Sequence, residues 1–245
     1  MWSDEFHGSD GSRIDTAKWS AVTGGDGWGN QEHEYYMDDI ATAQQRSGNL
    51  VITATRDGAS AHHCWYGPCE YVSARLQTKG RFEQRHGRFE ARIKVPRGQG
   101  LWPAFWMLGN DFDSAGWPAC GEIDIMENIG KEPGTVHGTL HGPGYSGSAG
   151  PTGRYELPGS ARFADDFHVF AVEWESDAAR FYVDDKLYET RTPTDLPPGT
   201  RWVFDHPFFL LLDVAVGGVW PGNPDGNTVF PQTMLVDYVR VYRKA

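Results

Sequence analysis

Gly87-Arg88-Phe89-Glu90-Ala91-Arg92-Ile93-Lys94-Val95-Pro96 decides the fold class. Phe89, Ala91, Ile93 and Val95 fall on one side of an extended chain, and Arg88, Glu90, Arg92 and Lys94 fall on the other. Successive side chains point to opposite faces of a strand, so this stretch reads as a strand with one packed and one wet face. The same period recurs downstream. In His168–Trp174, Phe170, Val172 and Trp174 share a face; Ser176–Ala179 then turns the chain, and Arg180–Val183 starts a return strand. The last segment alternates as well, with Leu235, Asp237, Val239 and Val241 set against Met234, Val236, Tyr238, Arg240 and Tyr242. Asp57-Gly58, Gly142-Pro143-Gly144, Pro197-Pro198-Gly199 and Pro221-Gly222-Asn223-Pro224 supply turns between such runs. Convincing amphipathic helices are absent. Short strands with regular turn signals predict an all-β sandwich or jelly roll. No linker-like run or internal repeat interrupts it, so residues 1–245 read as a single domain, with Ser146–Gly153 a long loop. One sheet face of such a sandwich can stay open as a groove, lined by aromatic side chains.

Composition narrows the function. Lys and Arg number 22 and Asp and Glu 33, a net charge of −11 over 245 residues. Nucleic acids and anionic membranes are bound through a positive footprint, which this balance lacks. A mean hydropathy of −0.53 argues against a membrane span. The richest apolar stretch, Pro207 to Gly218, is too short for one and contains Asp213. Aromatics at 13% supply a core and argue against disorder. A chain of this length buries roughly 70–75% of its unfolded surface and needs no disulfide to fold. Three Cys allow at most one intrachain pair. Cys64 and Cys69 flank a Gly/Pro-containing loop and form a candidate disulfide for an oxidising compartment; two reduced loop thiols are the alternative. Cys120 has no activating base beside it and reads as a small packed residue. No signal peptide is visible, so the chain is either cytosolic or a mature secreted form.

Gly121-Glu122-Ile123-Asp124-Ile125-Met126-Glu127-Asn128 carries the chemistry. On a regular strand Glu122 and Asp124 share one face, and Ile123 and Ile125 enter the core. Glu127 then falls on the core face, where an unpaired carboxylate costs several kcal/mol or is forced neutral. One extra residue at Ile125-Met126, a β-bulge, returns Glu127 to the acidic face. Glu122 and Glu127 then lie roughly 13 Å apart at their Cα atoms. Side chains leaning together approach the ~5–5.5 Å carboxyl separation of a retaining glycosidase. Clustered acids push their pKa values apart, leaving one ionised as nucleophile and one protonated as acid. A solvated acidic strand or a cation site is the plainer alternative, and the apolar interleaving and nearby Trp residues weigh against it.

Glu122-Ile123-Asp124-Ile125-Met126-Glu127 resembles the active-site signature of glycoside hydrolase family sixteen, in its bulged, laminarinase-like form. Trp2-Ser3-Asp4-Glu5-Phe6 resembles the family's opening strand, and Gly27-Trp28-Gly29-Asn30-Gln31-Glu32 with Tyr35-Tyr36 a groove segment. Ser73-Ala74-Arg75, Gly87 to Arg92, Gly100 to Leu108, His137-Gly138-Thr139-Leu140-His141 and Gly217 to Gly222 follow in the family's order. The resemblance spans the chain and is strongest to bacterial endo-1,3-β-glucanases. It implies a concanavalin-like β-jelly roll of two antiparallel sheets with a concave substrate groove. It also implies retaining double displacement, with Glu122 as nucleophile, Glu127 as general acid/base and Asp124 hydrogen-bonded to the nucleophile. The residue chemistry alone yields the pair of roles without saying which Glu takes which.

Sugar rings stack on aromatic faces, which makes Trp28, Trp102, Trp106, Trp117 and Trp220 groove candidates, although most aromatics fill cores. The resemblance favours Trp102, Trp106 and Trp220. It adds Asn30 and Arg75 as polar contacts to sugar hydroxyls; without it, Arg75 reads as a surface charge on a strand. His141 shares a face with His137 and Thr139 and is a candidate tuner of the Glu127 proton. No third ligand of suitable spacing supports a metal at the two histidines. Catalysis needs no cofactor. The resemblance implies a structural calcium on the convex side, at Glu5, the Gly48 backbone and Asp237. The alternative for Asp237 is a partner arginine.

These features predict a secreted, monomeric endo-1,3-β-glucanase acting on laminarin, curdlan or mixed-linkage 1,3-1,4-glucan, with a β-glucan and neither nucleic acid nor membrane as its partner. A non-catalytic lectin-like module on the same fold would not need paired glutamates. A transglycosylase would share the covalent intermediate and differ in its acceptor. Sulfated galactans suit a chain of charge −11 poorly.

Overall fold

The computed structural model describes residues 1–243, so the last two residues of the expected domain lie outside the described part. Strands are numbered in chain order. One antiparallel sheet contains β1 (Trp2–Asp4), β4 (Ala43–Arg46), β5 (Asn49–Ala54), β10 (Gly87–Lys94), β15 (His168–Trp174), β16 (Ala179–Val183), β17 (Lys186–Arg191) and β19 (Gln232–Tyr242). The other contains β2 (Ser20–Val22), β9 (Arg75–Gln77), β11 (Leu101–Gly109), β12 (Glu122–Glu127), β13 (Thr135–His141), β14 (Thr152–Glu156) and β18 (Phe208–Val216), in the order β14-β13-β12-β11-β18-β9-β2. Two short pairs flank them: β3 (Glu34–Tyr36) parallel to β8 (Tyr71–Ser73), and the hairpin β6 (His63–Cys64) with β7 (Gly67–Pro68). This is the expected two-sheet jelly roll. Among the described residues, no helix is long and apolar enough to cross a membrane.

The core lies between the sheets. Phe89, Ala91, Ile93 and Val95 are buried as the alternation requires, and join Phe105, Met107, Ile123, Leu210 and Leu212 in one cluster. In β18 the apolar run feeds two clusters. Phe208, Leu210, Leu212, Val214 and Val216 face the main core. Phe209 and Leu211 face the other way and pack with Leu108, Cys120, Trp106 and Phe112, the last from the short helix α1 (Phe112–Ala115). Alternation puts Asp213 on that second face. Cys120 is the packed residue expected, its thiol pushed up to about 11 mainly by burial.

The final strand departs from the simple alternation. Arg92 pairs with Tyr238 and Ile93 with Val236, which leaves Asp237 as an extra residue. This bulge switches the phase, so Met234 and Val236 are buried before it and Val239 and Val241 after it. Asp237 is therefore not on the packed face with Val239 and Val241; it is half-exposed and accepts a 2.7 Å hydrogen bond from Arg92. Cys64 and Cys69 are bridged across the β6–β7 hairpin.

Candidate active site

β12 carries the bulge that its sequence demands. Glu122 pairs with His141 and Asp124 with Thr139, and then Glu127 pairs with His137. On the β11 side, Trp106 pairs with Asp124 and Phe105 with Met126, so Ile125 is the extra residue. Ile123, Ile125 and Met126 all enter the core. The three carboxyl groups are thereby free to share the open face of the sheet, and no acid is stranded among apolar side chains.

Neighbouring strands supply the surroundings. Trp102 and Trp106, four residues apart on β11, both face the groove. Trp102 Nε1 donates to Glu127 Oε1 at 3.0 Å, and Trp106 Nε1 donates to Asp213 Oδ1 at 2.6 Å. Trp220 stands edge-on to Trp102 and His137, at 5.2 and 5.0 Å between ring centroids. His141 lies opposite Glu122, and its charge still lowers the Glu127 pKa, as expected of a tuner of that proton. Its register opposite Glu122 puts Nε2 3.0 Å from Asp124 Oδ2 and 3.6 Å from Glu122 Oε1. His137 takes the position opposite Glu127, but its Nε2 lies 3.3 Å from Glu132. Half-exposed Trp117 approaches His141 from the loop before β12.

Burial dominates the electrostatics. It raises Glu122 to about 8, with the Asp124 charge second, and raises Asp124 to about 8, opposed by the hydrogen bond from Glu122. One proton between these two carboxyls suits both observations, because a shared proton removes one of two adjacent buried charges. Burial also holds Glu127 well above the carboxylate range, with Asp124 next; His141 and the Trp102 N–H act in the opposite direction. Burial thus favours the protonated form of Glu127, the form a general acid needs.

A second acid layer lies behind the groove and was not singled out from the sequence. Glu32 accepts hydrogen bonds from Asn30 Nδ2 at 2.9 Å and Tyr36 OH at 3.1 Å. Glu34 accepts the Val216 backbone N–H at 2.6 Å. Burial pushes Glu32 up to about 7 and Glu34 well above the ordinary range. Arg75 inserts its guanidinium between the Trp28 and Trp106 rings, 4.8 and 4.6 Å from their centroids. Its charge also opposes the burial-driven rise of Asp213. Arg75 is thus a sandwiched groove cation and not a plain surface charge. The spacing Glu32-x-Glu34-x-Tyr36 was the available signal, since period two puts all three on one face.

The expected calcium ligands are engaged elsewhere. Both Glu5 oxygens accept from Arg240, at 3.0 and 2.8 Å, which lowers the Glu5 pKa. Asp237 is held by Arg92, and Gly48 sits in the β4–β5 turn at φ +74°. Calcium takes six to eight oxygens, and here backbone carbonyls and one remaining Asp237 oxygen are a poor set. The residues as arranged do not fit the ion.

The pattern of Glycosyl hydrolases family 16 matches residues 28–240. The chain belongs to this family. A β-glucanase of Rhodothermus marinus is 44% identical over 99% of this chain and 84% of its own length. The laminarinase catalytic domain of Thermotoga maritima is 47% identical with a TM-score of 0.92, covering all of this chain and 98% of that one. The endo-β-1,3-glucanase of Pyrococcus furiosus is also 47% identical with a TM-score of 0.92, covering 99% and 93%. Family 16 membership makes the chain a glycoside hydrolase and fits the bulged strand, whose carboxyls are the groups such chemistry uses.

Proposed function

We infer that this chain is an endo-acting β-1,3-glucanase that retains anomeric configuration. The observation that carries the reading is the bulged β12 strand. It delivers Glu122, Asp124 and Glu127 to one groove face, with a tryptophan N–H on Glu127. Glu122 is the nucleophile. Its carboxylate forms a bond to the anomeric carbon as the glycosidic C–O bond breaks, and Glu127 gives its proton to the leaving oxygen. Water then attacks the same carbon, Glu127 takes the water's proton, and the bond to Glu122 breaks. Asp124 takes the shared proton when Glu122 is ionised, so the nucleophile keeps a hydrogen bond. His141, 3.0 Å from Asp124, faces the charge that remains. Trp102 stabilises the Glu127 carboxylate between the two steps.

Trp102, Trp106 and Trp220 offer faces to the sugar rings, and Arg75 and Asn30 offer hydrogen bonds to their hydroxyls. A neutral polysaccharide suits a chain of charge −11. The Cys64–Cys69 bridge suits secretion into an oxidising compartment. We take the protein to act as a monomer with a single catalytic domain. Mass spectrometry with linkage analysis of products from laminarin, curdlan and lichenan tests the reading. Oligosaccharides from laminarin and curdlan are expected, and lichenan reports on mixed linkage. Exclusively monomeric products would defeat endo action. Glu122→Gln is expected to abolish hydrolysis, and wild-type rates in that variant would overturn the assigned mechanism.

A further inference from the structure

Trp65 is half-exposed, yet it is not loosely held. It sits inside the disulfide-closed Cys64–Cys69 hairpin. Its backbone N–H donates to Gly25 O at 2.8 Å, and its indole Nε1 donates to Glu32 O at 2.8 Å. The ring meets His33 and Tyr66 edge-on. Gly27, at φ +83°, has no room for a Cβ, which would stand 2.9 Å from Trp65 Cδ1. The indole is therefore pinned against the loop that carries Trp28 and Asn30. That loop is anchored in turn to the Trp220 segment: Val219 N donates to Asn30 O at 2.9 Å, and His33 N donates to Val216 O at 2.7 Å.

These contacts tie Trp65 to the loop that carries Trp28 and Asn30. From the acids on β12 the groove crosses β11, β18 and β9, roughly 14 Å at the usual strand spacing. A line of contacts also runs from Glu127 through Trp102 and Trp220 to the loop holding Asn30, on which Trp65 packs. Ordering an exposed indole by a disulfide, two hydrogen bonds and a tight glycine contact costs conformational freedom. Nothing in the core requires that position. We propose that Trp65 is a distal glucan-binding platform, stacking on a sugar ring of the β-1,3-glucan beyond those that reach Arg75 and Asn30.

The proposal rests on the glucanase reading, and the test separates the two. kcat/KM is measured for wild type, Trp65→Ala and Trp65→Phe on β-1,3-gluco-oligosaccharides of increasing length. Wild-type failure to cut any of them would sink the glucanase reading. Given wild-type cleavage, Trp65→Ala is expected to shrink the gain from lengthening the substrate by roughly three- to tenfold, seen in KM, with Trp65→Phe keeping most of that gain. The same loss at every length would overturn the proposal, because Trp65 would then only brace the Asn30 loop. An unchanged gain would overturn it too. A second measurement does not depend on the alanine variant folding. In the Glu122→Gln protein, oxidation of Trp65 by N-bromosuccinimide, mapped by mass spectrometry, is expected to slow with long but not short oligosaccharides. Equal oxidation in their presence and absence would count against the platform.

Discussion

Trp102 reaches Glu127 with one N–H, and that contact stabilises the ionised carboxyl in a site where burial otherwise favours the neutral form. Trp102→Phe keeps the ring and removes the donor. The Glu127 pKa is then expected to rise, moving the alkaline limb of the kcat/KM profile to higher pH. A limb that stays in place would contradict the role given to Trp102. Glu122 offers a test on stability. Its value of about 8 in the folded state lies above the ordinary 4.5, so the folded protein holds this proton more tightly than the unfolded chain. Its contribution to stability is full below about pH 4.5 and is lost as pH rises through about 8. Glu122→Gln cannot ionise. Its Tm relative to wild type is expected to climb between acidic and alkaline buffer, by about 4 °C or more. Parallel Tm curves would show that Glu122 does not carry the shift.

The bulge in β12 is a device of the strand as a whole. Inserting one residue between Met126 and Glu127 shifts the phase by one and turns Glu127 toward the core. Several kcal/mol of destabilisation are expected in chemical denaturation, together with loss of hydrolysis. An active variant of native stability would show that the phase of this strand does not place Glu127. Cys64→Ser with Cys69→Ser opens the hairpin under Trp65, and loop closure makes a loss of about 2 kcal/mol the expected result. Strand-scale features were also the most readable from sequence. The β10 alternation and the acidic β12 strand each pair a burial demand with a period of two, and the structure has both. Asp237 was misplaced because a bulge shifts phase without leaving a costly misplaced residue to announce it. The closer contacts of His141 with Asp124 and Glu122 could not be read ahead, since the β12–β13 register belongs to a pairing between strands and not to either strand alone. Glu34 and Asp213 were hidden because their partners, Val216 and Trp106, come from separate segments that only the folded sheet brings together, whereas the partners of Glu32, Asn30 and Tyr36, lie in its own segment.

At the scale of the molecule, seven strands bring residues from β9, β11, β12, β13 and β18 onto one open face, and loops add Asn30 and Trp220. The net charge of −11 plays little part in holding a neutral glucan, so KM for laminarin is expected to change little from low to high salt. A steep salt dependence would point to a charged substrate instead. The central claim is that Glu122 and Glu127 on this face cut internal β-1,3 bonds through a covalent intermediate. A proton NMR time course of laminarin digestion tests it most directly, because it reads the anomer released before mutarotation. The account expects the β-anomer of oligosaccharide ends to appear first; initial release of the α-anomer would contradict it.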